Sequence, residues 1–114
     1  MPFTLALRRH FVADHFHDLP GFQEARHGHN WEVEAAVRLH SETQEPAFVR
    51  ALDAWVDSVD YRLLNDLEPL AGRNPTAEVL AEKAFAHLRD AALEPAWVKI
   101  REKANYWALC RMAE

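Results

Sequence analysis

The sequence is short of several things at once, and each shortage excludes something. Among its 114 residues there is one cysteine, Cys110, so neither an intramolecular disulfide nor a cysteine-based zinc knuckle can form. Glycine occurs three times and no low-complexity tract interrupts the chain. No linker is therefore expected, and residues 1–114 read as a single domain. No hydrophobic run approaches membrane-spanning length, and the apolar stretch in "MPFTLALRRHF" is too short for a signal peptide. The expectation is a soluble, cytoplasmic protein with no membrane partner. Positive charge is also scarce: 13 Lys and Arg stand against 18 Asp and Glu, a formal net charge of −5. Without a basic stripe to displace counterions from phosphates, no nucleic-acid partner is expected. Arg26, Arg62 and Arg101 remain, by charge alone, candidates for holding a small anionic ligand.

What is present is an ordinary globular composition, 49% hydrophobic and 27% charged. A chain of this size buries about two thirds of its unfolded surface, so exposed sheet edges are expected to be covered by self-association. Phe3, Leu5 and Leu7 alternate with Thr4, Ala6 and Arg8, which predicts a half-buried strand over 3–9. The clearest alternation sets Trp31, Val33, Ala35, Val37 and Leu39 on one face against Glu32, Glu34 and Arg38, a strand over 31–39. The period then changes. Phe48, Leu52, Trp55, Val56 and Val59 recur at helical spacing after Pro46. Leu80, Ala84, Phe85 and Leu88 do so after "NPTAE", with Asn74 expected as the cap and Pro75 in the first turn. Residues 97–102 and 106–112 read as two strands joined by a turn at 103–105. The order ββααββ predicts an α+β domain: a four-stranded antiparallel sheet with both helices on one face.

Seven histidines are many for this length. His10, His17, His40 and His87 have no partner pattern and are expected at the surface or at strand ends. His27 and His29 differ, because residues two apart in extended backbone project to the same side and both imidazoles can converge on one ion. Gly28 between them permits close approach. Three neutral nitrogens with an open position suit a catalytic zinc. His15, just after the first strand, is the best third ligand, with His17 a local competitor; a hairpin joining residues 14 and 30 would gather all three. Glu102 shares a strand face with Val98 and Ile100, an acid on an otherwise apolar side.

Five motifs, "FVADH" (11–15), "HGHN" (27–30), "DYRLLN" (60–65), "PTAE" (75–78) and "RE" (101–102), fall in the order and spacing of one family. The chain resembles the 6-pyruvoyl-tetrahydropterin synthase and 6-carboxy-tetrahydropterin synthase family over nearly its whole length. That resemblance implies the tunnelling fold, in which trimers of this domain close a β-barrel and two trimers stack into a homohexamer. It implies a zinc ion held by His15, His27 and His29, and a pterin substrate, 7,8-dihydroneopterin triphosphate. It makes Glu102 the pterin anchor, able to accept two hydrogen bonds from the 2-amino and N3–H edge. Thr76 and Glu78 match positions lining the same pocket, and they also suit a helix cap and a first-turn acid.

The sequence departs from the family at two places. Gln23 stands where typical members carry a catalytic cysteine, and Asp60–Tyr61 stands where they carry Asp–His. Cys110 does not replace the missing cysteine by register. The arrangement E-x-x-H-G-H at 24–29 instead resembles the type III branch, in which glutamate stands in for the cysteine. By that resemblance Glu24 is the acid–base group of an aldolase-like lyase giving 6-hydroxymethyl-7,8-dihydropterin. Asp60 and Tyr61 complete the catalytic candidates; a phenol with a pKa of about 10 is a poor base, so Tyr61 is expected to pack or to orient substrate. Two alternatives stand beside this reading. One is 6-carboxy-tetrahydropterin synthase activity feeding queuosine and 7-deazaguanine synthesis, with pyruvoyl-type activity close to it. The other is a catalytically silent zinc- and pterin-binding homologue.

Overall fold

The fold is taken from a computed structural model, which describes residues 2–19, 22–67 and 74–112; of residues 17–19, 22–24, 26 and 27 it describes the backbone alone. The chain runs β1 (Phe3–Leu19), β2 (Phe22–Leu39), α1 (Glu45–Val59), β3 (Arg62–Leu63), α2 (Ala77–Asp90), β4 (Glu94–Lys103) and β5 (Tyr106–Arg111). Single 3-10 turns at Glu42–Gln44 and Leu64–Asp66 lead into α1 and follow β3. The sheet order is β3-β1-β2-β4-β5. The four long strands pair antiparallel, as the sequence predicts. A fifth, β3, adds a two-residue parallel pairing to the edge of β1, so the sheet is mixed. Two residues carry no periodicity, so nothing in the sequence announces this strand.

Alternation governs the core. Trp31, Val33, Val37 and Leu39 of β2 and Val98 and Ile100 of β4 are fully buried on the helix-bearing face, and Ala35 lies between them. Both helices bring the stripes predicted for them: Phe48, Leu52, Trp55, Val56 and Val59 from α1, and Leu80, Ala84, Phe85 and Leu88 from α2, are all buried. α1 lies against β1 and β2, α2 against β4 and β5, and the helices touch each other. His87 belongs to that contact rather than to the open surface, its Nε2 donating to the Ala51 carbonyl at 3.0 Å. His10 and His40 do stand at the surface. No helix among the described residues is long and apolar enough to cross a membrane.

Two expectations need correction. The first two strands are far longer than their alternation, and their pairing continues as far as Leu19 and Phe22 rather than ending at residues 14 and 30. Within it Asp14 faces Gly28 and Val12 faces Asn30, so the histidines lie inside a ladder, not in a loop. Polar residues on both sides of this stretch hide the period of two, while backbone pairing alone sustains the strands. The cap of α2 is Thr76, whose hydroxyl accepts from the Val79 N–H at 3.2 Å. Asn74 and Pro75 therefore precede the helix. A hydroxyl at the position with β-region backbone is the better acceptor for an orphan first-turn N–H.

Candidate metal and pterin site

Three side chains converge where β1, β2 and β4 lie side by side. His15 Nε2 stands 2.9 Å from Glu102 Oε1, and His29 Nε2 stands 3.0 Å from the same oxygen. The ligand atoms of His15, His29 and Glu102 all lie within 4.8 Å of one another. His15 is fully buried and Glu102 is 9% exposed, so this is a charged group at the edge of the core rather than a solvated one.

Local structure explains each position. Ala13 faces His29 and His15 faces His27 across the β1–β2 ladder, which fixes these residues on neighbouring rungs. The His27 and Glu24 side chains lie outside the described residues; their backbones pair with His15 and His17. Gly28 faces Asp14, and a Cβ added there would lie 2.6 Å from Asp14 Oδ1. The space that this glycine leaves is taken by the Asp14 carboxylate. Glu102 sits where the β4–β5 register shifts, between Arg101 opposite Trp107 and Lys103 opposite Tyr106. A bulge of this kind re-aims a side chain, here toward the histidines.

Trp31 forms the wall behind the imidazoles. Its ring stands edge-on to His15 at 5.1 Å and to His29 at 5.5 Å between centroids, stacks on Phe11, and donates from Nε1 to the Ala13 carbonyl at 3.1 Å. The ring is held by packing and one hydrogen bond, so both imidazoles have a rigid backing. His15 Nδ1 lies 2.8 Å from the Pro75 carbonyl oxygen. A carbonyl only accepts, so Nδ1 is the protonated nitrogen and Nε2 is the one turned to the site. Metal-ligating histidines are oriented by this type of contact. Two imidazole nitrogens and a carboxylate oxygen are a donor set suited to a divalent transition metal, and the residues present fit such an ion. Sequence reasoning gave Glu102 to the pterin alone; the geometry places its carboxylate among the candidate metal ligands as well.

The "DYRLLN" motif is a clamp on β1. Asp60 Oδ1 accepts from the Val12 N–H at 2.9 Å, and the Tyr61 N–H donates to the Val12 carbonyl at 2.6 Å. Arg62 and Leu63 then pair with Ala13 and Asp14. Asn65 finishes the run: its Oδ1 accepts from the Phe16 N–H at 2.9 Å and its Nδ2 donates to the Phe16 carbonyl at 3.0 Å. One amide side chain thereby replaces a strand partner where the β1–β2 register shifts after His15. Asp60 does not join the His15, His29 and Glu102 cluster. Tyr61 adopts a left-handed backbone (φ 56°) and its side chain is 83% exposed.

At the N-terminus of α2, Pro75 touches His15, Thr76 caps the helix, and Glu78 accepts from the Tyr106 hydroxyl at 3.2 Å. Burial, then the carboxylates of Glu78 and Glu102, push the Tyr106 phenol above its ordinary value. Cys110 is pushed up too, by burial and Glu82 against an opposing Arg89, so it stays a neutral thiol. Of the candidate anion-binding arginines, Arg62 is exposed on the edge strand, while Arg101 lies 3.9 Å from Glu32 and over Trp107. The Arg26 side chain lies outside the described residues. Sequence reasoning passed over the Pro75 carbonyl, the Asn65 amide and Tyr106. A backbone oxygen leaves no trace in a residue string, and the other two act through partners remote in sequence.

The fold has close counterparts among solved structures. The 6-pyruvoyl tetrahydropterin synthase of Caenorhabditis elegans superposes with a TM-score of 0.82 at 19% identity, covering 99% of this chain and 97% of that one. The Plasmodium falciparum 6-pyruvoyl tetrahydropterin synthase gives 0.70 at 13% identity, covering 97% and 98%. A Plasmodium vivax 6-pyruvoyltetrahydropterin synthase, in a form whose catalytic glutamate is replaced by cysteine, gives 0.71 at 11% identity and 98% of each chain. No curated protein matches the sequence. The family described as 6-pyruvoyl tetrahydropterin synthase matches residues 4–113, and with the tunnelling fold now in view the chain belongs to that family.

Proposed function

We propose that this protein is a zinc-dependent lyase acting on 7,8-dihydroneopterin triphosphate or a related pterin, and that it forms 6-hydroxymethyl-7,8-dihydropterin. The observation that carries the reading is the cluster of His15, His29 and Glu102 against Trp31, on the fold of a pterin-processing family. In this reading His15, His27 and His29 hold the zinc, which would supply Lewis acidity toward the substrate's side-chain hydroxyls. Glu102 accepts hydrogen bonds from the 2-amino and N3–H edge of the pterin, and Thr76 and Glu78 line the same pocket. Glu24 takes the proton of the C2′ hydroxyl as the C1′–C2′ bond breaks and returns a proton to C1′, so that the two-carbon aldehyde carrying the triphosphate leaves. The glutamate reading is supported by the Plasmodium vivax protein, for which a glutamate is named as a catalytic residue. Asp60 holds β1 in place through Val12, and Tyr61 contacts substrate or a neighbouring chain. The working assembly is a homohexamer, a dimer of trimers, in the cytoplasm.

A second reading is favoured by one observation: Asp60 is engaged with a backbone amide and is followed by tyrosine rather than histidine. A homologue that keeps zinc and pterin without turnover would look the same at this position. Product analysis separates the two. Zinc-loaded protein incubated with 7,8-dihydroneopterin triphosphate is expected to yield 6-hydroxymethyl-7,8-dihydropterin, and the Glu24→Gln variant is expected to yield none. Binding without product from either protein would establish the silent homologue. Glu102→Gln is expected to lose pterin binding and keep its metal; loss of the metal would make Glu102 a ligand instead.

A further inference from the structure

The end of β5 nearest Glu102 carries a residue that no motif of the sequence singles out. Tyr106 opens β5 opposite Lys103, directly after the turn that follows the Glu102 bulge. Its hydroxyl donates to Glu78 Oε1 at 3.2 Å, across to the first turn of α2. That turn is already fixed against the site, because Pro75 holds His15 and Thr76 caps the helix. An exposed glutamate ordinarily samples several rotamers, and among the described residues the Tyr106 hydroxyl is the hydrogen-bond partner that restrains Glu78.

We propose that Tyr106 is a positioning and specificity-determining residue of the pterin site: its hydroxyl holds the Glu78 carboxylate in place beside Glu102, so that two fixed acceptors meet the donor edge of the ligand. This rests on the pterin reading given above. The geometry assigns the pair to ligand binding because it joins β5, the strand paired with the Glu102 bulge, to the helix end that orients His15. The shift of the Tyr106 phenol agrees, since both carboxylates contribute to it. Glu102 takes the N3–H and one hydrogen of the 2-amino group, which leaves the second amino hydrogen as the donor for Glu78. A ligand lacking the exocyclic amine would leave an acceptor without a partner, so the pair also discriminates.

The test is a double-mutant cycle on Tyr106→Phe and Glu78→Gln, read as the dissociation constant for 7,8-dihydroneopterin by fluorescence and as metal content. Tyr106→Phe is expected to weaken binding by about threefold to tenfold, the scale of one ordinary hydrogen bond at a partly exposed site, with metal content unchanged. The double variant is expected to bind no more weakly than Glu78→Gln alone, because the hydroxyl acts only through that carboxylate. If the protein turns over, KM rises while kcat stays within about twofold. Strictly additive losses, or unchanged binding in Tyr106→Phe, would overturn the positioning role while leaving the pterin site standing. Failure of the wild-type protein to bind any pterin would instead overturn the reading on which the inference rests.

Discussion

Single side chains at this site are defined by what their partners allow. One oxygen of Glu102 lies within reach of two imidazoles, and the tautomer of His15 is set because its Nδ1–H donates to the Pro75 carbonyl. Tyr106 is defined in the same way, between burial and two carboxylates. Its phenol sits above the ordinary value of about 10, so the folded protein holds that proton more tightly than the unfolded chain. Its contribution to stability is complete below about pH 10 and is lost as pH rises through the raised value. Absorbance at 295 nm, taken as the difference between wild type and Tyr106→Phe, is expected to titrate with a midpoint above 10. A midpoint at or below 10 would show that the hydroxyl does not face Glu78 in solution.

Elements, rather than single residues, bring the site together, and here the sequence was legible in part. The helices declared themselves because each buries one stripe, and β2 did so from Trp31 onward because only one of its faces is apolar. The hairpin arms beyond the helices did not, since polar residues occupy both sides of them. β3 has two residues, too few for any period. The histidine spacing put His27 and His29 on the ladder opposite His15 and Ala13, and Glu102 stood out as an acid on an apolar face. The bulge that aims Glu102, and the clamp from residues 60–65, depend on contacts between elements far apart in the chain. Asn65 tests that clamp. Replacing it with alanine removes both hydrogen bonds to Phe16 and is expected to cost about 1–3 kcal/mol in urea unfolding. Metal affinity by chelator competition is expected to fall alongside, because the released segment of β1 adjoins His15. Unchanged affinity would mean that the ladder with β2 alone positions that histidine.

The whole molecule leaves apolar surface at both ends of its sheet. Val12 and Tyr61 are exposed near the β3 edge, and Trp107, Leu109 and Met112 are about half exposed on or just after β5. A lone domain with two such edges is an invitation to further strand pairing. Light scattering behind size exclusion is expected to give six times the 13.1 kDa chain mass, and a single-chain mass would refute the barrel assembly. The order of the strands carries one more consequence, for the time course of folding. His15 and His29 meet within one hairpin, but Glu102 arrives on β4, which reaches β2 only after the chain has passed through both helices. Hairpins close in microseconds, while long excursions must first meet their loop-closure entropy. The three histidines proposed to hold zinc all lie in that hairpin, so the ion can be captured before β4 docks, and only the pterin anchor waits for the last strand pairing.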